Sequence, residues 1–141
     1  MKVIHISLVS AILGLAVAAA PSASTLKLIA NESVTASTIS IDEVKEVFLF
    51  TAPSFRNGDR IVPVLEEGGP AHELFLKEYV RKSDAALQTY YRSLVFTGKA
   101  KLPKILRTDA EVVAYVAKTR GAVGYVRAET DSPGTKTLHV K

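Results

Sequence analysis

The sequence predicts an α/β layered domain with a mixed, mainly parallel sheet, and three observations support this fold class. Short apolar segments typical of strands alternate along the chain with amphipathic helical segments, which is the order of a layered sheet. Two capping boxes that mark helix starts are predicted, one at Ser40 with Glu43 and one at Thr108 with Glu111. The 141 residues include no cysteine, so a hydrophobic core rather than disulfides must hold the fold together.

The first 23 residues have the pattern of a cleavable signal peptide. Lys2 supplies a positive charge, and residues 6–20 form an uncharged apolar run, shorter than the roughly 20 residues of a membrane-spanning helix. Small residues follow, and we place the cleavage site near Ala23. We therefore predict a signal peptide over residues 1–23 and one periplasmic domain over residues 24–141. An uncleaved membrane anchor is the alternative.

The first half of this domain contains two predicted strands with a helix between them. Residues 25–30 (TLKLIA) alternate as a strand does, and the polar residues 31–38 predict a loop. Ser40 and Glu43 form a capping box, which opens a helix that should bury the stripe Ile41, Val44 and Phe48. Residues 61–65 (IVPVL) predict a second strand. Its Pro63 cannot donate a hydrogen bond, which indicates either an edge strand or the start of a strand.

The second half is predicted to contain three helices and two strands. Pro70 suits the first turn of a helix that presents Leu74, Phe75 and Tyr79 on one side. Ser83 begins the next helix, Gly98 ends it, and residues 99–104 form a basic connection. The last predicted elements are a helix from Thr108 to Gly121 and strands at 122–126 and 136–140.

Composition and motifs exclude several classes of function. The net charge of +4 is spread over interspersed basic and acidic residues, without the basic stripe interleaved with aromatics that nucleic-acid binding requires. The sequence has no nucleophile elbow, no P-loop and no His-Glu-x-x-His zinc helix. We therefore expect no enzyme activity, no cofactor, no metal site and no nucleic-acid partner.

Three segments, in this order, resemble the phosphate-type periplasmic substrate-binding proteins of ABC transporters. They are IDEVKEVFLFTAPSFRNGDRIVPV at 41–64, GGPAHELF at 68–75 and KTRGAVGYV at 118–126. The resemblance implies a class II periplasmic-binding-protein-like domain, of a length that corresponds to about one lobe. It also implies a solute-binding role in phosphate transport, with phosphate or another small oxyanion as ligand and a membrane transporter or sensor as partner.

In that family, the segment at Glu66–Ala71 is the phosphate loop. Glycines before a helix start present free N–H groups, so Gly68 and Gly69 are candidate ligand-binding residues. This chain departs from the family pattern, because glycine and alanine replace the expected hydroxyl residues, leucine replaces the arginine, and two glutamates add negative charge. The resemblance therefore implies weak oxyanion binding, and an ordinary strand-to-helix turn is the alternative interpretation.

Three further residues are candidates for ligand contact. His72 lies in the first turn of the helix after the glycine loop, where it is either an anion contact or a surface histidine without a role. Asn31 and Ser33 follow the first strand, and ligands of open α/β sheets bind beyond the carboxyl ends of strands. A solvated loop is the alternative for this pair.

The remaining polar groups are weaker candidates. Arg56 and Arg60 flank the Asn57-Gly58 turn, and Lys99, Lys101 and Lys104 lie close together in the basic connection. Each group either attracts an anion or acidic partner or is ordinary soluble surface. Tyr125 either lines a cleft or packs in the core. At the level of function, the alternative to a solute-binding protein is a ligand-free interaction module of the same fold that contacts an envelope sensor or transporter.

Overall fold

The computed structural model of the chain describes residues 25–52 and 54–141, and the predicted signal peptide lies outside them. Six strands form one sheet in the order β2-β6-β1-β5-β3-β4. Their bounds are β1 Leu26–Asn31, β2 Thr38–Ile39, β3 Val62–Glu66, β4 Lys104–Leu106, β5 Ala122–Arg127 and β6 Thr135–Val140. The pairs β2–β6, β3–β4 and β3–β5 are parallel, whereas β1 is antiparallel to both β5 and β6. The predicted mixed, mainly parallel α/β sheet is confirmed.

Four helices cover the two faces of the sheet. They are α1 Ile41–Phe48, α2 Pro70–Phe75, α3 Asp84–Phe96 and α4 Asp109–Lys118, and a π-helical turn, Leu76–Val80, extends α2. That turn ends at Arg81, which has a left-handed φ of 54°. Every helix within residues 25–52 and 54–141 is too short or too polar to span a bilayer.

The predicted helix starts are confirmed by their hydrogen bonds. Ser40 Oγ accepts from the Glu43 amide at 3.1 Å, and the Glu43 carboxylate accepts from the Ser40 amide at 3.1 Å, which completes the capping box. At α4, Thr108 Oγ1 accepts from the Glu111 amide at 3.2 Å, which confirms the helix start. The predicted capping box is wrong there, because the Glu111 carboxylate accepts from the amide of Arg107 instead of that of Thr108. Both arrangements satisfy amides that a helix start otherwise leaves free.

The core has two parts, one on each face of the sheet. The larger part lies between the sheet and α1, α2 and α3, and its largest buried side chains are Tyr91, Tyr125, Phe48 and Phe75. The smaller part joins α4 to the opposite face through Val112, Val113, Val116, Ile29 and Val64. The prediction that Ile41 belongs to the buried stripe of α1 is wrong, because Ile41 is 46% exposed and Val47 is buried in its place.

Close packing of α4 depends on a glycine in β5. A Cβ atom added to Gly124 would lie 2.9 Å from Cγ1 of Val112, closer than real Cβ contacts come. The glycine therefore lets the helix approach the sheet closely enough to bury its valine stripe.

Strand directions define two polar edges of the sheet. The carboxyl edge comprises the residues that follow β3, β4 and β5, namely 67–69, 107–108 and 128–134. The amino edge comprises the residues that precede the same strands, 60–61, 101–103 and 119–121. Because β1 runs antiparallel to β5, the loop after β1 lies at the amino edge.

The sequence-based strand predictions needed two corrections. Strands β2 and β4 are absent from the prediction, which has a loop up to residue 38 and a connection up to residue 104, since two or three residues are too few to show an alternating pattern. Pro63 is the second residue of β3, which is an inner strand of the sheet. Of the two interpretations of this proline, the edge strand is therefore wrong and the start of a strand is confirmed. The amide of Val62 donates to the Gly121 carbonyl, on the β5 side of the strand. The next residue, Pro63, faces the β4 side, where pairing begins only at Val64, so its lack of an N–H breaks no bond between strands.

Candidate functional site

A buried chain of hydrogen bonds lies under the glycine loop at the carboxyl edge. The hydroxyl oxygen of Tyr125 accepts from the Glu66 amide at 3.0 Å and lies 2.6 Å from Nδ1 of His72. Nε2 of His72 lies 2.8 Å from Oδ1 of Asp84, at the start of α3. Because a carboxylate only accepts, Nε2 donates to Asp84, and in this neutral tautomer Nδ1 accepts from the Tyr125 hydroxyl. This chain of bonds joins β3, β5, α2 and α3.

Glu66 is a buried carboxyl group at the end of β3, with only 4% of the residue exposed. Burial raises its pKa from an ordinary 4.5 to about 8, and the neighbouring Asp109 carboxylate raises it further, while Arg127 opposes the shift. Glu66 is therefore protonated at neutral pH and donates to Asp109. Its Oε1 is buried without a hydrogen-bond partner in the described part of the chain.

Asp109 holds the ionised half of this pair. Burial would raise its pKa, but hydrogen bonds from Glu66, Thr130 and Arg127 outweigh burial and lower the pKa to about 2. The amide and Nε of Arg127 bond its Oδ2 at 3.2 and 3.0 Å, and the Thr130 hydroxyl bonds the same oxygen. The site thus contains one neutral acid and one anion, and Oδ2 of the anion accepts three hydrogen bonds.

A cleft of about 540 Å³ opens beside this network, between α3 and the ends of β3 and β4. Arg92 of α3 and Arg107 after β4 line it, together with Glu67, Asp84 and Gln88. Arg107 lies 3.4 Å from the Glu67 carboxylate, and both side chains are exposed. Arg92 forms no ion pair within residues 25–52 and 54–141, so its guanidinium is available to an anion.

Of the predicted ligand residues, Gly68 and Gly69 directly follow Glu67, which lines the cleft, but neither glycine lines it. Gly69 has a φ of 91°, which a residue with a side chain adopts only under strain, and it is the N-cap of α2. His72 is neither of the two predicted alternatives. It is only 2% exposed, and both of its ring nitrogens are bonded inside the protein.

Asn31 and Ser33 lie at the amino edge, away from the glycine loop. The side-chain amide of Asn31 donates to the carbonyls of Val116 and Ala117 at 2.8 and 3.0 Å, which satisfies the end of α4. Ser33 Oγ accepts from the amide of Gly121 at 3.0 Å. Both side chains thus have structural partners, and the five predicted ligand residues do not form one pocket.

The remaining candidates are divided between surface and core. Arg56 is exposed and lies 3.7 Å from Glu43, and Arg60 lies at the amino edge. Tyr125 packs in the core rather than lining a cleft, and the centroid of its ring lies 4.0 Å from that of Phe75 in a stacked arrangement. No cluster of three or more metal-ligating side chains occurs among the described residues.

Sequence reasoning missed Arg92, Arg107 and the Glu66–Asp109 pair. Arg107 follows β4 directly, and a strand assignment at 104–106 would have placed it at the carboxyl edge next to Glu67. Arg92 carries no comparable local signal, because only the packing of α3 brings it to the cleft.

Comparison with solved structures finds this fold in proteins of phosphate transport. A Clostridium perfringens protein assigned as a phosphate ABC transporter substrate-binding protein, solved with bound phosphate, superposes with a TM-score of 0.62 at 14% identity, over 83% of this chain and 45% of its own. PstS from Borrelia burgdorferi gives 0.64 at 11% identity, over 84% of this chain and 47% of its own. An ABC-type phosphate transport receptor from Vibrio cholerae gives 0.54 at 11% identity, over 83% and 46%.

No protein-family model matches the sequence, and no curated protein matches it. The structural neighbours are substrate-binding proteins of transport systems rather than enzymes. The chain spans about half the length of these neighbours. It therefore has the fold of phosphate-type substrate-binding proteins, over the extent of about one lobe.

Proposed function

We propose that this protein is a solute-binding-type domain that binds phosphate or another small oxyanion weakly at its carboxyl edge. The observation that carries the proposal is the cleft that Arg92 and Arg107 line together with Glu67, the residue before the glycine loop. Arginine is suited to tetrahedral oxyanions because its planar group offers paired donors. The amides of Gly68 and Gly69 are the further donors of the proposed site.

The charges around the loop favour weak rather than absent binding. Glu66 is neutral below its pKa of about 8, so it does not repel an anion at neutral pH. Glu67 is ionised but exposed and next to Arg107, and Asp84 is tied to His72. The two arginines and the two carboxylates of the cleft nearly balance, and exposed charges are screened within about 8 Å at physiological ionic strength. We expect a Kd between about 1 μM and 1 mM for phosphate.

The test is calorimetric titration of the purified protein with inorganic phosphate and with sulfate. Replacing Arg92 and Arg107 with alanine should weaken phosphate binding by roughly tenfold or more, because charge-assisted hydrogen bonds contribute about 1.5–3 kcal/mol each. Arg120→Ala, at the amino edge, is the matched control and should leave binding unchanged. Absence of binding at roughly 10 mM phosphate, or tight binding that both alanine variants retain, would contradict the proposal.

His72 provides a second control for this site. Both of its ring nitrogens are bonded inside the protein, so His72→Ala should lower the stability of the domain rather than remove a ligand contact.

Glu67→Gln should strengthen phosphate binding, since it removes the ionised carboxylate closest to the loop.

We further propose that residues 1–23 are removed on export and that the domain works in the periplasm. The support is the charge at Lys2, the apolar run at 6–20 and the small residues after it. Intact-mass measurement on protein from the envelope fraction should find a chain beginning near Ser24. A species that retains Met1 in the inner membrane would contradict this.

A second candidate function is a ligand-free interaction module that contacts an envelope sensor or transporter. The observation that favours it is the composition of the glycine loop, in which Gly69 and Ala71 stand where the resemblance leads us to expect hydroxyl residues. If phosphate and sulfate fail to bind, this second function is the one to pursue.

A further inference from the structure

A groove of about 840 Å³ lies at the amino edge of the sheet, at the opposite ends of β3 and β4 from the proposed oxyanion cleft. Its floor is mainly apolar and includes Phe50, Ile61, Pro63, Leu102 and Tyr115. Leu102 is 60% exposed in the free chain, so an occupant of the groove would bury apolar surface there. Burial of this kind is favourable by about 25 cal/mol per Å².

Four cations line the same groove, and no acidic side chain does. They are Arg60, Lys101, Lys104 and Arg120. None of them forms an ion pair with a carboxylate in the part of the chain that the structure describes. The Lys104 ammonium lies 5.5 Å from the ring centroid of Tyr115, so charge and apolar floor are in direct contact.

The segment that supplies Lys101 and Lys104 to the groove carries no negative charge. Residues 85–108 contain no aspartate or glutamate, although basic and acidic residues are interspersed over the chain as a whole. Of the five cations of this segment, Lys101 and Lys104 line the groove, Arg92 and Arg107 line the cleft at the carboxyl edge, and Lys99 lines neither. A field of one sign attracts a partner of the opposite sign and increases its association rate.

We propose that this groove is a docking site for a partner protein, and that it binds an extended segment in which carboxylates flank an apolar side chain. The apolar side chain would occupy the floor, and the carboxylates would pair with the surrounding cations. The groove is concave, which fits an inserted side chain better than a flat lipid surface. The site lies at the opposite edge from Arg92 and Gly69, so docking does not depend on the proposed oxyanion binding.

The probe for this docking site is a fluorescein-labelled synthetic peptide with a central Leu-Phe pair and three glutamates on each side. Its control is the same peptide with glutamine at every glutamate. Fluorescence anisotropy on the full chain should show binding of the acidic peptide that weakens as salt is raised. The glutamine peptide should bind roughly tenfold more weakly or not at all.

Charge-reversal variants locate the binding on the protein. The double variant Lys101→Glu, Lys104→Glu should weaken binding of the acidic peptide by roughly tenfold or more. The matched control is Lys77→Glu, Lys82→Glu, which reverses two exposed lysines that do not line the groove. This control should change the Kd by less than about twofold. Melting temperatures of both double variants confirm that each is folded.

Three outcomes would overturn the proposal. One is no binding of the acidic peptide, and another is equal binding of both peptides. The third is binding to phosphatidylglycerol vesicles that is lost in Phe96→Ser, since Phe96 is 94% exposed outside the groove and is the side chain a lipid surface would engage. Failure of the oxyanion proposal is separable, because Arg92→Ala should weaken phosphate binding and leave peptide binding unchanged.

Discussion

The hydroxyl oxygen of Tyr125 lies 2.6 Å from Nδ1 of His72, and the same oxygen accepts a hydrogen bond from the Glu66 amide at 3.0 Å. One buried hydroxyl thus satisfies a strand amide and a helix side chain together. Burial raises the pKa of Tyr125 far above its ordinary value of 10, so the phenol stays protonated and remains a donor.

Tyr125→Phe tests this relationship. The ring stack on Phe75 is retained, but the Glu66 amide and Nδ1 of His72 lose their partner, so the free energy of unfolding should fall by about 1–3 kcal/mol. Urea unfolding measures the change. Tyr90→Phe, which removes one bond to the Leu49 carbonyl at a half-buried position, is the control and should cost less. Equal losses in the two variants would show that the Tyr125 hydroxyl has no special role.

Glu66 should make stability depend on pH between about 4.5 and 8. Its folded pKa of about 8 exceeds the ordinary 4.5, so the folded state binds the proton more tightly than the unfolded state. The contribution of Glu66 is complete below pH 4.5 and is lost as pH rises through about 8, by at most about 1.4 kcal/mol per pH unit. Asp109, with its pKa lowered to about 2, acts in the opposite sense, losing its contribution as pH falls from 3.8 toward 2.

Glu66→Gln isolates this effect, because a glutamine amide donates to Asp109 as the protonated acid does. We expect the variant and the parent to melt at similar temperatures at pH 5, and the variant to melt higher at pH 8. Calorimetric scans across this range provide the measurement. A parent whose melting temperature rises from pH 5 to pH 8 by as much as the variant's would contradict the assignment of the proton to Glu66.

The two helix caps should each contribute measurably to stability. Ser40→Ala and Thr108→Ala each remove the acceptor of an N3 amide, and each should lower the free energy of unfolding by about 0.5–2 kcal/mol. Thr97→Ala, near the end of α3, removes a hydroxyl that bonds only carbonyls of its own helix and serves as the control. Urea melts that overlay the parent for both cap variants would contradict the expectation.

Gly124→Ala should destabilise the contact between α4 and the sheet. The added methyl group would lie 2.9 Å from Cγ1 of Val112, and overpacking of this kind costs about 1–3 kcal/mol. The double variant with Val112→Ala frees that space, so part of the loss should be regained. If the two substitutions are simply additive in thermal unfolding, the predicted clash is absent.

Elements with strong local signals were predictable from sequence, and those that depend on distant pairing were not. The helix after Ser40 and the helix after Thr108 begin with side chains that bond their own first turns, so a few residues suffice to identify them. Strand β2 has two residues and exists only because β6 pairs with it. Local patterns alone did not reveal that partner.

The candidate site shows the same division. The glycine loop was placed correctly after β3, since a strand, two glycines and a proline at a helix start occur consecutively. Asn31 is a candidate from the sequence because ligands of open α/β sheets bind beyond the carboxyl ends of strands. The antiparallel pairing of β1 with β5 sends it to the other edge, and strand direction is a property of the sheet rather than of the strand's own residues.

The five residues of β3 separate the two polar edges by roughly 17 Å at the rise of an extended strand. An anion held near Gly69 and a peptide held near Lys101 would therefore be separated by about two Debye lengths of physiological saline. Binding of the anion should therefore barely change the affinity for the peptide, and the coupling free energy between the two sites should be close to zero. Either occupancy can then change over the course of evolution without disturbing the other, so a lobe that loses its solute can keep its partner.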